Sequence, residues 1–210
     1  NIIDKINRDN PQPIEDIERG WIDDGYFHLN NPNIELEVPV DEGFDEVQYS
    51  FNGVEWSTWE SLPHNTNKSF TLTPIEGHHT IFFRYRNKDG SFTSLTKEDQ
   101  IKYIIDYTPP ELDIVTRNGT LIADTNYVEL NVTSKDNYSS VVQLKLLNSD
   151  YQLLKSNLDL IENKTLYLEQ DKEEDIVIFG LQDGFNQISF ELTDMAGNST
   201  RETIRIFKKA

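Results

Sequence analysis

The 210-residue chain contains no cysteine, which excludes disulfides, thiolate metal sites and cysteine nucleophiles. It does not assign a compartment, because oxidising environments permit disulfides without requiring them. Positive charge is scarce: 19 Lys and Arg stand against 37 Asp and Glu, for a net charge of −18. A surface of that sign repels nucleic-acid phosphate and anionic lipid, so neither is expected as a partner, and no direct membrane insertion is expected. It suits solubility, or divalent cations held by carboxylates and carbonyls. Long apolar runs are missing too, and nothing at the N-terminus reads as a signal peptide. The sequence opens at Asn1 rather than Met, so it reads as a processed product or cut fragment whose targeting signals or anchors lie outside it. Catalytic signatures are also lacking: there is no Gly-x-Ser-x-Gly elbow, no phosphate-cradling glycine loop and no His-Glu-x-x-His helix. A non-enzyme is the expectation. Hydrophobic residues make up 36% and aromatics 11%, a combination suited to thin sandwich cores rather than to disorder.

What is present is an internal repeat. Ile75-Glu-Gly-His-His-Thr-Ile-Phe-Phe-Arg-Tyr-Arg-Asn-Lys-Asp-Gly90 aligns without a gap on Gln182-Asp-Gly-Phe-Asn-Gln-Ile-Ser-Phe-Glu-Leu-Thr-Asp-Met-Ala-Gly197, with a constant offset of 107 residues. Each copy has a turn glycine, a strand with period-2 alternation and a polar turn closed by a second glycine. Ile81, Phe83 and Tyr85 share one face in the first copy; Ile188, Phe190 and Leu192 do so in the second. Ile34–Val38 resembles Val128–Val132 more loosely, and Glu46–Phe51 resembles Val141–Leu146, which sets Tyr49 against Leu144. Ile101–Ile105 and Thr203–Phe207 close the two copies. Several short strands between turn signals predict a sandwich or barrel. The stretch Tyr151–Ile161 is the one place where a short helix fits the pattern.

The fold class expected is therefore all-β, with two tandem antiparallel sandwiches. The Pro-Pro step in Asp106-Tyr-Thr-Pro-Pro110 cannot continue a central strand and marks the junction. The division follows: residues 1–25 as a polar leader or linker, 26–108 as the first sandwich and 109–210 as the second. Asn52-Gly53 between apolar runs is a two-residue hairpin signal. That register sets Phe51 opposite Val54 and Tyr49 opposite Trp56 on the core face, and leaves Trp59 on the other face with Glu55 and Ser57.

Asp194-Met-Ala-Gly-Asn198 after a strand, and Asp106-Tyr-Thr-Pro-Pro110 between the copies, resemble the D-x-A-G-N turn and D-T-T-P-P junction of bacterial immunoglobulin-like repeats. Tyr49-Ser-Phe-Asn-Gly-Val-Glu-Trp56 is similar to the hairpin of that family, and to tyrosine-rich sandwich domains of some bacterial sensor proteins. The first copy departs from the pattern, with Asn87-Lys-Asp-Gly90 at the corresponding turn. The resemblance implies large secreted, cell-surface or phage virion proteins in which such repeats act as stalks, spacers or adhesion modules, with neighbouring domains of the same polypeptide as partners and a cell-surface glycan or protein as a further one.

Turn residues Asp106, Asp136 and Asp194 are the metal-ligand expectation, with calcium as the cation. Asp89 lies in a similar turn. No stretch follows the alternating ligand pattern of an EF-hand, and Asp194 has a plainer role open to it, capping its own turn while Gly197 supplies a positive φ. Trp59 is the ligand expectation, as an aromatic platform for a sugar ring; a lone surface aromatic otherwise needs no explanation. Trp21 is expected to dock on the first sandwich. His78 and His79 are adjacent, so on a strand their rings point to opposite faces and chelate poorly. The function expected is that of a structural spacer or adhesion module; the alternative is a carbohydrate-binding accessory module of a polysaccharide-active enzyme.

Overall fold

The computed structural model describes residues 22–23, 25–37, 44–61, 67–87 and 100–210. The chain is all-β and forms β-sandwiches. It divides into two compact units, the first ending at Tyr107 and the second spanning Thr108–Ala210. Among the described residues no helix is long and apolar enough to cross a membrane.

In the first unit the strands are β1 (Ile22–Asp23), β2 (Tyr26–Leu29), β3 (Asn33–Glu37), β4 (Glu46–Ser50), β5 (Glu60–Ser61), β6 (Asn67–Thr71), β7 (Gly77–Arg86) and β8 (Gln100–Ile105). One sheet runs β1-β2-β8-β7-β4-β5, and β3 pairs with β6 as a second layer. The alternation of β7 decides its facing: Ile81, Phe83 and Tyr85 are buried, whereas Phe82, Arg84 and Arg86 point the other way. Phe70 on β6 meets Tyr49 edge-on at 4.9 Å and Phe83 at 6.1 Å, so the small layer closes the core with aromatic edges.

The second unit contains β9 (Glu111–Thr116), β10 (Ile122–Ala123), β11 (Tyr127–Lys135), β12 (Val141–Leu146), β13 (Gln152–Lys155), β14 (Thr165–Glu169), β15 (Glu174–Phe179), β16 (Gly184–Thr193) and β17 (Ser199–Lys208). Its sheets are β10-β17-β16-β12-β14 and β13-β15-β11-β9. Leu130 opposes Ile176 in one sheet, and Leu146 opposes Phe190 in the other; all four belong to one buried cluster with Leu144, Ile188 and Leu192. Among the described residues each unit also has one parallel pair, β2 with β8 and β10 with β17, so the sandwiches are not purely antiparallel.

The glycine-flanked strands of the repeat are β7 and β16, both ten residues long. Their neighbours match with a shift. Tyr49 lies opposite Phe83, and Leu146 lies opposite Phe190, so the counterpart of Tyr49 is Leu146 rather than Leu144. A slip of two residues keeps every side chain on its face, which is why the core assignment survives the misalignment.

Four local expectations are corrected. Asn52-Gly53 does not make a two-residue hairpin: residues 51–59 form a wide loop, and β4 pairs with β5 only from Val47 opposite Glu60. Among these loop residues only Gly53 takes a positive φ, +74°. Ser50 Oγ accepts the Asn52 and Gly53 N–H groups, and Asn52 Oδ1 accepts those of Val54 and Glu55. These side-chain turns compete with the ladder and open it. Trp56 consequently leaves the core face and lies half-buried over Arg84. Tyr151–Ile161 holds no helix; β13 runs into a tight turn with Leu158 left-handed, fixed by Asn157 and Asp159 bonding to each other. The first sheet begins at Ile22, inside the segment read as leader. Trp21, Asp89 and Gly90 lie outside the described residues.

Candidate metal centre and the tryptophan face

Asp194 follows β16, and its carboxylate folds back over the turn. Oδ1 accepts the N–H groups of Ala196 and Asn198, and Oδ2 accepts the Asn198 side-chain amide. Gly197 supplies the left-handed residue, φ +93°, that lets its own N–H reach the Asp194 carbonyl. This local cap is complete, as the Asp-x-Ala-Gly-Asn pattern suggests. Asp136 follows β11 and makes the same kind of turn, its Oδ1 accepting the Tyr138 and Ser139 N–H groups at 2.9 and 2.6 Å. Ser139 Oγ then accepts the Met195 N–H, tying the two turns together.

Carboxylate oxygens of Asp106, Asp136 and Asp194 all lie within 4.8 Å of one another, and all three residues are buried. Asp106 stands on the Pro-Pro segment that leads into the second sandwich. Asp136 is 9% exposed, and its Oδ2 is buried with no hydrogen-bond partner. Buried carboxylates this close repel by roughly 3–4 kcal/mol per pair even at an effective dielectric near 20, so such a cluster calls for a proton or a cation. Burial pushes the Asp194 carboxyl up to about 6; the charge of Asp136 adds to the rise, and the bonds from Asn198 and Ala196 oppose it.

The donor set is all oxygen, which suits a hard divalent ion. One oxygen from each carboxylate, all within 4.8 Å of one another, lies close enough for the three to share one such ion. Asp136 Oδ2 supplies a lone pair that no protein donor takes.

Trp59 lies on the outer face of the first sheet, as its parity predicts, but it has company there. The Arg86 guanidinium sits 4.2 Å from its ring centre and Arg84 5.7 Å, while Arg84 sits 4.1 Å from Trp56. The arginines are anchored in turn: Arg84 Nε donates to Gln48 Oε1 and Arg86 Nε to Glu46 Oε2, both at 2.6 Å. Tryptophans and arginines thus interleave along β7 and pin the wide loop to the sheet, with guanidinium groups against indole faces that a sugar would stack on. Neither the role of Trp56 nor that of the arginines was evident from the tryptophans alone; the outward parity of Arg84 and Arg86 was the available signal. His78 packs edge-on against Tyr26 at 4.9 Å, and His79 Nε2 lies 2.7 Å from the Ile75 carbonyl, so the two rings do not chelate together.

No family model matches the chain, and no curated protein matches it. Among solved structures, it is similar to the fibronectin(III)-like modules of Clostridium thermocellum CbhA, at 12% identity and a TM-score of 0.46, over 88% of each chain. A conjugative transposon lipoprotein from Bacteroides eggerthii matches 47% of this chain with 96% of its own, at 14% identity and a TM-score of 0.36. The Yersinia pseudotuberculosis adhesin InvE matches 85% of this chain over 56% of its own, at 10% identity and a TM-score of 0.32.

Proposed function

We propose that the chain is a non-enzymatic tandem structural module of a larger bacterial cell-surface, secreted or virion protein, and that Asp106, Asp136 and Asp194 hold a calcium ion. The observation that carries this reading is the buried carboxylate cluster, in which Asp136 Oδ2 has no protein donor. The function is mechanical, and the apolar residues of both units go into closing thin cores, with no deep cleft implied. The bacterial setting rests on the resemblance of Asp194–Asn198 and Asp106–Pro110 to immunoglobulin-like repeats. The partners that follow are neighbouring domains of the same polypeptide and, for an adhesion module, a glycan or protein of a cell surface.

Calorimetry of the whole chain with calcium and with chelator tests the reading. Calcium should raise the melting temperature of the second unit, and Asp136→Asn should abolish the gain. Identical melts in calcium and chelator would remove the ion and leave a plain spacer.

A further inference from the structure

The outward residues of β7 run His78, Thr80, Phe82, Arg84 and Arg86. Tryptophans cover the arginine half of that stripe. The other half borders a groove of about 340 Å³ whose walls include Phe51, Phe82, Asn52, Thr80, His78 and His79. Among the described residues its lining contains no Asp, Glu, Lys or Arg, in a chain where 27% of residues are charged. Phe51 packs one edge on Tyr49 and Phe70 yet is 46% exposed, so part of an aromatic ring of the wall is open to solvent.

We propose that this groove is a saccharide site that takes one neutral hexose ring. Its size lies near the lower end of the roughly 300–1,000 Å³ typical of small-molecule sites, which suits a single ring. With no carboxylate or ammonium group among its described lining residues, it is poorly suited to an ion, and the −18 charge of the chain repels an anionic ligand. A purely apolar ligand would strand the polar side chains at a cost. A sugar satisfies both kinds of wall, laying C–H faces on Phe51 and Phe82 and turning hydroxyls to the neutral polar groups.

The hydrogen-bonding capacity of those groups can be read individually. Asn52 Oδ1 is used up inside its loop by the Val54 and Glu55 N–H groups, so the amide N–H₂ is what the side chain offers. A carbonyl can only accept, so His79 Nε2, 2.7 Å from Ile75 O, carries the proton. In the neutral ring this leaves Nδ1 as an acceptor. Thr80 can donate and accept. The groove therefore presents donors and acceptors together, which is what a ring of hydroxyls needs and a phosphate or an ammonium does not.

The site is independent of the calcium reading, so each can fail alone. The test is nuclear magnetic resonance of the intact chain titrated with glucose, galactose, mannose and N-acetylglucosamine, with glucuronate as the anionic control. At least one neutral sugar should shift the His78 and His79 ring signals saturably, with chelator present or absent, and glucuronate should not. Phe82→Ala and Phe51→Ala should each weaken binding roughly tenfold, in line with the worth of one aromatic contact, and Thr80→Val, which keeps the shape, should weaken it too. Trp59→Ala should leave it unchanged, separating this groove from the tryptophan face. Absence of a saturable shift with all four neutral sugars would overturn the proposal. So would equal binding of glucuronate, or binding that persists in both folded Phe→Ala variants.

Discussion

The two sandwiches share a strand pattern but close it by different means. In the second unit, sheets of five and four strands face each other, and two interlocked aspartate turns finish one end. In the first, a six-stranded sheet is paired with only β3 and β6 among the described residues, and its outer face carries the tryptophan and arginine stack. Even so, small devices are preserved at the 107-residue offset. His79 bonds the carbonyl of Ile75, and Asn186 at the matching position donates to the carbonyl of Gln182, which matches Ile75. The comparison teaches that the repeated strand dictates the core, while the loops around it are free to acquire site chemistry.

The strongest way to break this comparison is to attack the shared core. Phe83 and Phe190 are both fully buried on matching strands, so truncating either to alanine should cost about 3–5 kcal/mol. Amide exchange resolved by residue would show the loss confined to the unit that carries the change. If Phe83→Ala proved nearly neutral, the first unit would not have a closed core of the same kind.

The next effect separates the units by chemistry. With chelator present, folding holds the Asp194 carboxyl up at about 6, against an ordinary value of 3.8. The fold therefore favours the neutral acid: the stability it lends is complete below pH 3.8 and is lost as pH rises through 6. The span is at most about 3 kcal/mol. Taking the chelated chain from pH 7.5 to 5 should thus stabilise the second unit, calcium at pH 7.5 should restore what ionisation removed, and Asp194→Asn should lack the dependence. A chelated chain whose second unit gains no stability over the same interval, behaving as expected of Asp194→Asn, would mean that the three carboxylates do not burden one another.

These expectations also mark what was legible in the sequence. The core was, because period-2 alternation survives a two-residue misalignment. The D-x-A-G-N turn was, because Asp194 and Gly197 perform local chemistry that needs no tertiary context. The path of residues 51–59 was not. Asn52-Gly53 satisfies a hairpin rule, but Ser50 and Asn52 offer the backbone competing acceptors, and Arg84 and Arg86, about thirty residues later in the sequence, draw Trp56 and Trp59 to the outer face. A rule confined to neighbours cannot weigh a cation that arrives on another strand.

The outer stack gives a smaller effect, specific to the first unit. Arg84→Ala removes the guanidinium from both indoles and from Gln48. At about 0.5–1 kcal/mol per half-exposed cation–π contact, the first unit should lose about 1–2 kcal/mol. Arg84→Lys should recover only part of it, since a lysine cannot stack as a plane. Tryptophan fluorescence should report the loosened loop, and an unchanged spectrum would show that the loop holds itself.

The smallest change tests whether one difference between the cores is a burden. Tyr103 on β8 is 1% exposed, and its hydroxyl is buried with no hydrogen-bond partner; burial pushes that hydroxyl well above the ordinary tyrosine range. The matching position on β17 is Ile206, opposite Asn186 as Tyr103 is opposite His79, and it is wholly buried and apolar. An unpaired buried hydroxyl forfeits its water bonds and gains nothing in return. Tyr103→Phe keeps the ring, including its stacking on Phe27 at 5.5 Å, and deletes only the stranded group. The first unit should therefore be unchanged or gain up to about 1 kcal/mol, read as slower amide exchange along β7 and β8. A loss of 1 kcal/mol or more would show that the hydroxyl is bonded in solution, through a water or a shifted side chain, and that the polar difference between the two cores is part of what stabilises the first.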